Sequence, residues 1–186
     1  MFFFDCKNNN YTFKPGDIEH AYLLVLQEDL VAAGKVFAQI DSPRAHWGIT
    51  FTDILNGFLV RYPTYFEVRN FFEIDMDFLL KNEKIKYVEM MLGALDILSE
   101  ITHEVYKYAA RIMLENHLYN AAEKYLDKSK SMFYNDPELH FILAKNCLRK
   151  NLLEEADRYL KECLKIVPSY YPALKLKKDI MSYFDK

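Results

Sequence analysis

Apolar residues recur at helical spacing over most of the chain, in pairs of runs that are separated by short polar breaks. In the clearest pair, the runs cover residues 143–148 and 153–164, and each follows a period of about 3.6 residues. The breaks within pairs contain residues that often end helices, at 81–83, 116–117 and 150–151. The pattern therefore predicts a series of helical hairpins, each made of two antiparallel helices.

From about residue 69 onward, the hairpins repeat with a period of 34 residues. Equivalent positions hold side chains of the same type, in the series Leu80, Leu114 and Leu148, then Leu92, Leu126 and Leu160, then Leu98, Met132 and Ile166. Between two repeats, Asp136 can cap a helix that Pro137 begins. The repeats span 69–102, 103–136 and 137–170, and the unpaired helix that follows, 170–184, is expected to cap the array.

The repeated residues resemble the tetratricopeptide repeat, a helix-turn-helix unit of this length. The unit from 137 to 170 carries the resemblance best, with Leu143, Ala144, Cys147, Ala156, Leu160 and Pro168 at the family's positions. The unit from His103 has Tyr134 where the family has its closing Pro, and the unit from Arg69 has Asp75 where the family has Leu. The resemblance implies an all-α fold: a right-handed α-solenoid of antiparallel helix pairs that forms a single domain over 14–186.

The first half of the chain departs from the period. An N-terminal hairpin is recognisable from Ala21 and Ala33, but the interval from Ala33 to Val88 exceeds one repeat, so an additional helix is expected. Its predicted range is 43–62, and Pro63 marks its end. One apolar face of this helix is formed by Trp47, Phe51, Ile54, Leu55 and Phe58. The sequence leaves open whether this helix pairs with the hairpin before it or with residues 65–81.

Residues 1–13 lack helical spacing and predict a short hairpin or extended arm with an aromatic start, Phe2–Phe4. Two roles are open for this arm. It covers the edge of the first helix pair, or it contacts a second subunit in a homodimer.

Amino-acid composition excludes several fold classes and several kinds of binding partner. Five glycines and six prolines among 186 residues are too few for a β-sandwich or barrel, or for a phosphate-cradling nucleotide fold. A net charge of −3 and an isoelectric point near 6.0 argue against nucleic-acid binding. The longest wholly apolar run, 21–26, is far shorter than the roughly 20 residues of a membrane span. Because the first residues also lack the basic start of a signal peptide, we expect a cytoplasmic protein without membrane insertion.

The chain offers no constellation that favours catalysis. Its five histidines are dispersed, and Cys147 and Cys163 occupy apolar positions that predict buried free thiols. The acidic run Glu73, Asp75 and Asp77 is interpreted as a solvated helix face, with cation binding by Glu73 and Asp77 as the alternative. We therefore predict a non-enzyme with no catalytic residue, no metal site and no cofactor.

In the tetratricopeptide family, the first helices of successive repeats line a concave groove that binds a peptide or a partner helix. The resemblance places six side chains of this chain in that groove: Lys107, Arg111, Phe141, Lys145, Arg149 and Lys175. This basic stripe with an aromatic residue suits an acidic segment or a C-terminal carboxylate. The alternative is that these charges only keep the array soluble by pairing with Glu104, Glu115 or Glu138.

The resemblance implies an adaptor or scaffold that binds another protein without catalysis. Two further functions remain open. One is a chaperone for an export substrate or an unstable partner, and the other is a regulatory module of an enzyme such as a glycosyltransferase. The paired asparagines that clamp chaperone tails in this family are absent from the matching positions, which gives that particular ligand no support.

Overall fold

The computed structural model describes residues 16–184, and side chains as far as residue 180. Within this range the chain forms helices and no strand. The helices are α1 Ile18–Leu26, α2 Leu30–Ala38, α3 Pro43–Leu55, α4 Tyr65–Lys81, α5 Ile85–Gly93, α6 Leu95–Ser99, α7 Val105–Glu115, α8 Tyr119–Met132, α9 Pro137–Arg149, α10 Leu153–Ile166 and α11 Tyr171–Phe184. The predicted all-helical class is confirmed for these residues, whereas the solenoid arrangement stays a prediction. The predicted arm at 1–13 lies outside the described residues.

The chain divides into two compact units, of which unit 1 ends at Val105 and unit 2 begins at Tyr106. Unit 1 contains α1 to α6, and unit 2 contains α8 to α11 together with α7 beyond its first residue. The single domain predicted over 14–186 stays a prediction. Between residues 16 and 184, no helix combines the length and apolar character that a membrane span requires.

Four helix pairs share one type of turn. α1, α4, α7 and α9 are each followed by a residue in the left-handed backbone region, with φ of 67° at Glu28, 55° at Glu83, 62° at His117 and 59° at Asn151. Each of these amides and the next one bond back to the end of the preceding helix, as Asn151 does to Leu148 and Leu152 to Cys147. This is the Schellman arrangement, which satisfies carbonyls that a helix end leaves unpaired. The last three turns recur at the period that the sequence predicts.

Polar side chains cap the starts of α1, α2, α3, α4 and α9. Asp136 accepts hydrogen bonds from the backbone amides of Glu138 at 2.8 Å and Leu139 at 3.3 Å, and Pro137 is the first residue of α9. This confirms the predicted cap. At α4, Thr64 and Glu67 form a reciprocal capping box, because each side chain accepts from the other residue's backbone amide.

The additional helix, α3, is shorter than predicted. It ends at Leu55 rather than near residue 62, because Asn56 caps it and Gly57 then adopts φ of +85°, a left-handed conformation open to glycine. Phe58 is therefore 52% exposed and does not share the buried face of the helix. The other four residues of the predicted apolar face, Trp47, Phe51, Ile54 and Leu55, are buried.

α3 packs against both of its candidate partners in unit 1. A Cβ atom at Gly48 would lie 2.5 Å from the Phe37 ring of α2, so only glycine permits this close approach. On the α4 side, the Trp47 indole donates a hydrogen bond to Asp75. The two pairings that the sequence left open are both present.

One core cluster of unit 2 is built mainly by α9 and α10. Ala144, Ala156, Leu160 and Cys163 are buried together, and Ala173 of α11 joins the same cluster. The neighbouring α11 residues Tyr171 and Leu174 remain exposed. α11 thus covers the apolar face of α10 with one side and offers the other to solvent, as a capping helix does.

Candidate functional site

Four of the six predicted groove residues line one cavity in unit 2, which we call the unit-2 cavity. It has a volume of about 340 Å³ and lies among α7, α9, the start of α8 and Tyr170. The predicted residues at its wall are Arg111, Phe141, Lys145 and Arg149. The last three recur every fourth residue on α9, which places them along one face of that helix.

Arg149 is held in place by its neighbours, which include Glu123 as an ion-pair partner at 3.9 Å, but one of its donor atoms has no partner. Its guanidinium carbon lies 3.2 Å from the centre of the Tyr119 ring, and its Nη2 atom donates to Asn146 at 2.9 Å. The Nε atom is buried and has no hydrogen-bond partner. A buried donor without a partner costs free energy, so an acceptor that reached the Nε atom would be stabilised.

Lys145 and Phe141 lie next to each other at the wall of the cavity. The Lys145 side chain is exposed, and its ammonium lies 5.9 Å from the centre of the Phe141 ring. No ion pair involves Lys145 among residues 16–180. Three cationic residues and two anionic ones, Glu115 and Glu138, line the cavity, which leaves one net positive charge with His117 neutral.

Arg111 faces the cavity in an ion pair with Glu138. Burial raises the pKa of the Glu138 carboxyl, but its hydrogen bonds and charge interactions with Lys107 and Arg111 outweigh burial and hold the pKa below the usual range. Arg111 therefore lines the cavity with its charge already paired to that of Glu138.

Lys107 differs from the prediction, because its side chain does not face a groove. Only 1% of the residue is exposed, and its ammonium lies 2.6 Å from a carboxylate oxygen of Asp136 and 2.9 Å from one of Glu138. The sequence period places Lys107 correctly on α7, but the acidic start of α9 encloses it. Its role in this structure is to join α7 to α9.

Lys175 also lies apart from the cavity. It is exposed on α11 and is not among the residues that line the cavity. The predicted stripe therefore separates into a cluster of four at the cavity, one buried ion-pair member and one exposed lysine on the capping helix.

His140 also lies on α9 and is packed as the sequence predicts. It is 1% exposed, with its ring 4.7 Å from the Tyr134 ring and 6.1 Å from the Tyr159 ring. Burial lowers the pKa of His140, and this effect outweighs the nearby Glu162 and Asp136, which raise it; Lys130 lowers it further. Folded unit 2 therefore favours the neutral imidazole.

The free energy of unfolding of unit 2 is expected to fall as the pH decreases from about 7.5 to 5.5, because unfolded His140 takes up a proton near its ordinary pKa of about 6.5 while the folded form resists it. A His140→Phe variant should show a flatter dependence. Hydrogen exchange of the amides in α9 and α10, followed as a function of pH, measures the free energy of unfolding. His103→Gln, at an exposed position in unit 1, is the control and should keep the wild-type slope. An equal slope in the His140→Phe variant would contradict this assignment.

The prediction of a buried thiol is confirmed for Cys163 and only in part for Cys147. Cys163 is fully buried, and burial raises the pKa of its thiol to about 11; Cys147 is half-buried, and burial raises its pKa as well. No group of three histidine, cysteine or acidic residues within the described part of the chain is arranged to hold a metal ion.

Unit 1 contains a buried polar cluster that the sequence did not predict, which we call the Asp75 cluster: Tyr22, Arg44, Trp47 and Asp75. The Asp75 carboxylate is 0% exposed and accepts from Arg44 Nη2 at 2.5 Å, Arg44 Nη1 at 3.2 Å, Trp47 Nε1 at 2.5 Å and the Tyr22 hydroxyl at 3.1 Å. Burial raises the pKa of this carboxyl although all three partners act to lower it. The interpretation of residues 73–77 as a solvated face is wrong for Asp75.

The signal for this cluster was present in the sequence, since Asp75 stands where the resemblance to the tetratricopeptide repeat leads one to expect Leu. Arg44 lies over the rings of Tyr22 at 4.8 Å and Phe71 at 5.0 Å, so aromatic faces shield the ion pair from solvent. Glu73 and Asp77 are partly exposed, and Asp77 pairs with Lys81 one turn later.

Comparison with protein-family models, with curated proteins and with solved structures gave no match.

Proposed function

We propose that this protein is a helical repeat protein of the tetratricopeptide type that binds an acidic segment of another protein, without catalysis, at the unit-2 cavity. The observation that carries the proposal is a pair of cationic residues beside an aromatic ring at the cavity wall. Next to Phe141, the exposed Lys145 ammonium has no ion-pair partner among residues 16–180, and the Arg149 Nε atom has no hydrogen-bond partner. A carboxylate can accept from both cations while an apolar neighbour packs on the ring.

The repeated turns support the repeat part of this proposal. Left-handed residues at 83, 117 and 151 end the first helix of three successive pairs with the same hydrogen-bond pattern. In a repeat of this type, the surface can vary while the buried positions stay fixed. The cavity is lined by the first helices of two such pairs, α7 and α9, which is where the family resemblance implies ligand binding.

The probe for this proposal is a set of N-acetylated acidic octapeptides with a leucine beside the acids. One series has a free C-terminal carboxylate, a second is amidated at the C-terminus, and a third replaces each acidic side chain with its amide. Binding is measured by titration with amide chemical shifts of residues 111–119 and 138–149. We expect the series with a free C-terminal carboxylate to bind and the series with amide side chains to bind at least tenfold more weakly. Binding by the amidated series would show that the acidic side chains, and not the terminal carboxylate, are recognised.

Lys145→Glu should weaken binding of the acidic peptides about tenfold, since it removes one attraction and adds a repulsion worth about 1.4 kcal/mol together. Lys178→Glu is the matched control, because it changes the net charge equally at an exposed α11 position away from the cavity. Equal affinities of these two variants, or no binding by either acidic series, would contradict the proposed function.

A further inference from the structure

Unit 1 contains a larger cavity, of about 780 Å³, which we call the unit-1 cavity. Its walls come from the start of α1, the end of α2, the start of α3 and the second half of α4. Apolar side chains dominate them, namely Ile18, Tyr22, Ile40, Ile74 and Phe78. Cavities of this size with mostly apolar walls and a few polar groups are typical binding sites.

Ile74 shows that this wall lacks a covering partner among the described residues. It lies mid-way along α4, and 55% of it is exposed. Tyr22, Arg44 and Asp75 of the Asp75 cluster line the cavity and hold α1, α3 and α4 together there. The cavity is therefore a stable feature of the packing, with an apolar wall that water contacts.

The charges around the cavity favour a basic occupant. Four acidic residues and two basic ones line it. Arg44 pairs with Asp75, and Lys81 pairs with Asp77. Asp17 and Glu19, at the start of α1, have no cationic partner among residues 16–180, so the excess negative charge lies at this part of the wall.

The first fifteen residues of the chain have the complementary composition. They carry five aromatic side chains, Phe2, Phe3, Phe4, Tyr11 and Phe13. Their two lysines and one aspartate give a net charge of +1. They also connect directly to Gly16, which lines the cavity. A segment tethered at the rim has an effective concentration of about millimolar or more, so weak contacts suffice for occupancy.

We propose that the occupant of the unit-1 cavity is this chain's own segment 1–15, whose aromatic side chains pack on Ile18, Ile40, Ile74 and Phe78 while its lysines face Asp17 and Glu19. The inference is independent of the function proposed for unit 2. The sequence left open whether the aromatic start covers the first helix pair or contacts a second subunit, and the proposal chooses the first of these roles.

The test uses the full-length protein and the isoleucine side-chain methyl signals in NMR spectra. In one variant the five aromatic residues at positions 2, 3, 4, 11 and 13 are replaced by serine. Methyl groups packed against aromatic rings have ring-current shifts, so we expect the signals of Ile18, Ile40 and Ile74 to move toward solvent-exposed values in this variant. Unchanged methyl signals would overturn the proposal.

A second pair of variants alters the cavity while leaving the segment intact. Ile74→Lys removes part of the apolar wall and repels the segment's lysines. Ile85→Lys is the control, since Ile85 is also 55% exposed and does not line the cavity. The backbone signals of residues 1–15 should move to those of the isolated peptide in the first variant and stay in place in the second. Equal behaviour of the two variants would overturn the proposal. So would wild-type methyl shifts that move to solvent-exposed values on dilution, because that result indicates occupancy by a second copy of the chain.

Discussion

Replacing Asp75 with leucine is expected to lower the free energy of unfolding of unit 1 by about 3–5 kcal/mol. The substitution leaves the Arg44 guanidinium largely buried without its carboxylate, and it removes the acceptor for the Trp47 indole and the Tyr22 hydroxyl. Trp47 is fully buried and Tyr22 is 4% exposed, so water cannot replace the lost acceptor without opening the core.

Trp47 also provides the measurement. It is the single tryptophan of the chain and lies in unit 1, so urea denaturation followed by its fluorescence reports on this unit. Asp77→Leu is the matched control on the same helix. It removes a partly exposed acid whose partner Lys81 is half-exposed, and exposed pairs contribute at most about 1 kcal/mol. A loss for Asp75→Leu no larger than that of Asp77→Leu would show that the cluster does not stabilise the unit.

The double variant Arg44→Leu with Asp75→Leu separates the two parts of this argument. Burial raises the pKa of Asp75 despite its donors, which means that removing the carboxylate from water is costly. Removing both charges relieves that cost, so the double variant is expected to lose less stability than the sum of the single variants. Additive losses would indicate that the two charges do not interact.

Local signals account for the elements that the sequence predicts well. The breaks at 81–83, 116–117 and 150–151 coincide with left-handed turn residues, because the chemistry that ends a helix is contained in a few adjacent residues. Phe37, Phe72 and Tyr106 are buried where the repeat pattern has a large residue. Helical spacing fixes which face of a helix is apolar, and the structure buries that face.

Tertiary partners account for the elements that the sequence missed. Asp75 stands in an acidic run that resembles a solvated face, and the residue that makes its burial tolerable, Arg44, comes from a different helix and lies 31 residues away in the chain. The end of α3 was missed because Gly57, rather than Pro63, supplies the stop. At the predicted groove, spacing placed four side chains together, whereas the burial of Lys107 depends on the carboxylates at the start of α9.

Lys107→Met is therefore expected to act on stability and not on ligand binding. The variant keeps most of the side-chain volume but leaves Asp136 without its cation in a site where the lysine is almost fully buried. Glu138 retains Arg111 and is partly exposed, so the expected loss lies near the low end of the range for a broken buried pair, at about 3 kcal/mol. Because Asp136 also caps α9, the loss should appear as faster hydrogen exchange in the first turn of that helix.

Two comparisons decide between an ion pair that supports the fold and a cation that binds a ligand. Arg111→Met, which removes a more exposed partner of the same Glu138, should cost no more than about 1 kcal/mol. Lys107→Met should bind the acidic octapeptides as the wild type does, under conditions in which unit 2 is folded, whereas Lys145→Glu should weaken binding and leave stability unchanged. The opposite outcome is that Lys107→Met weakens binding about tenfold and keeps its stability. This result would indicate that Lys107 belongs to the ligand site that the family resemblance implies.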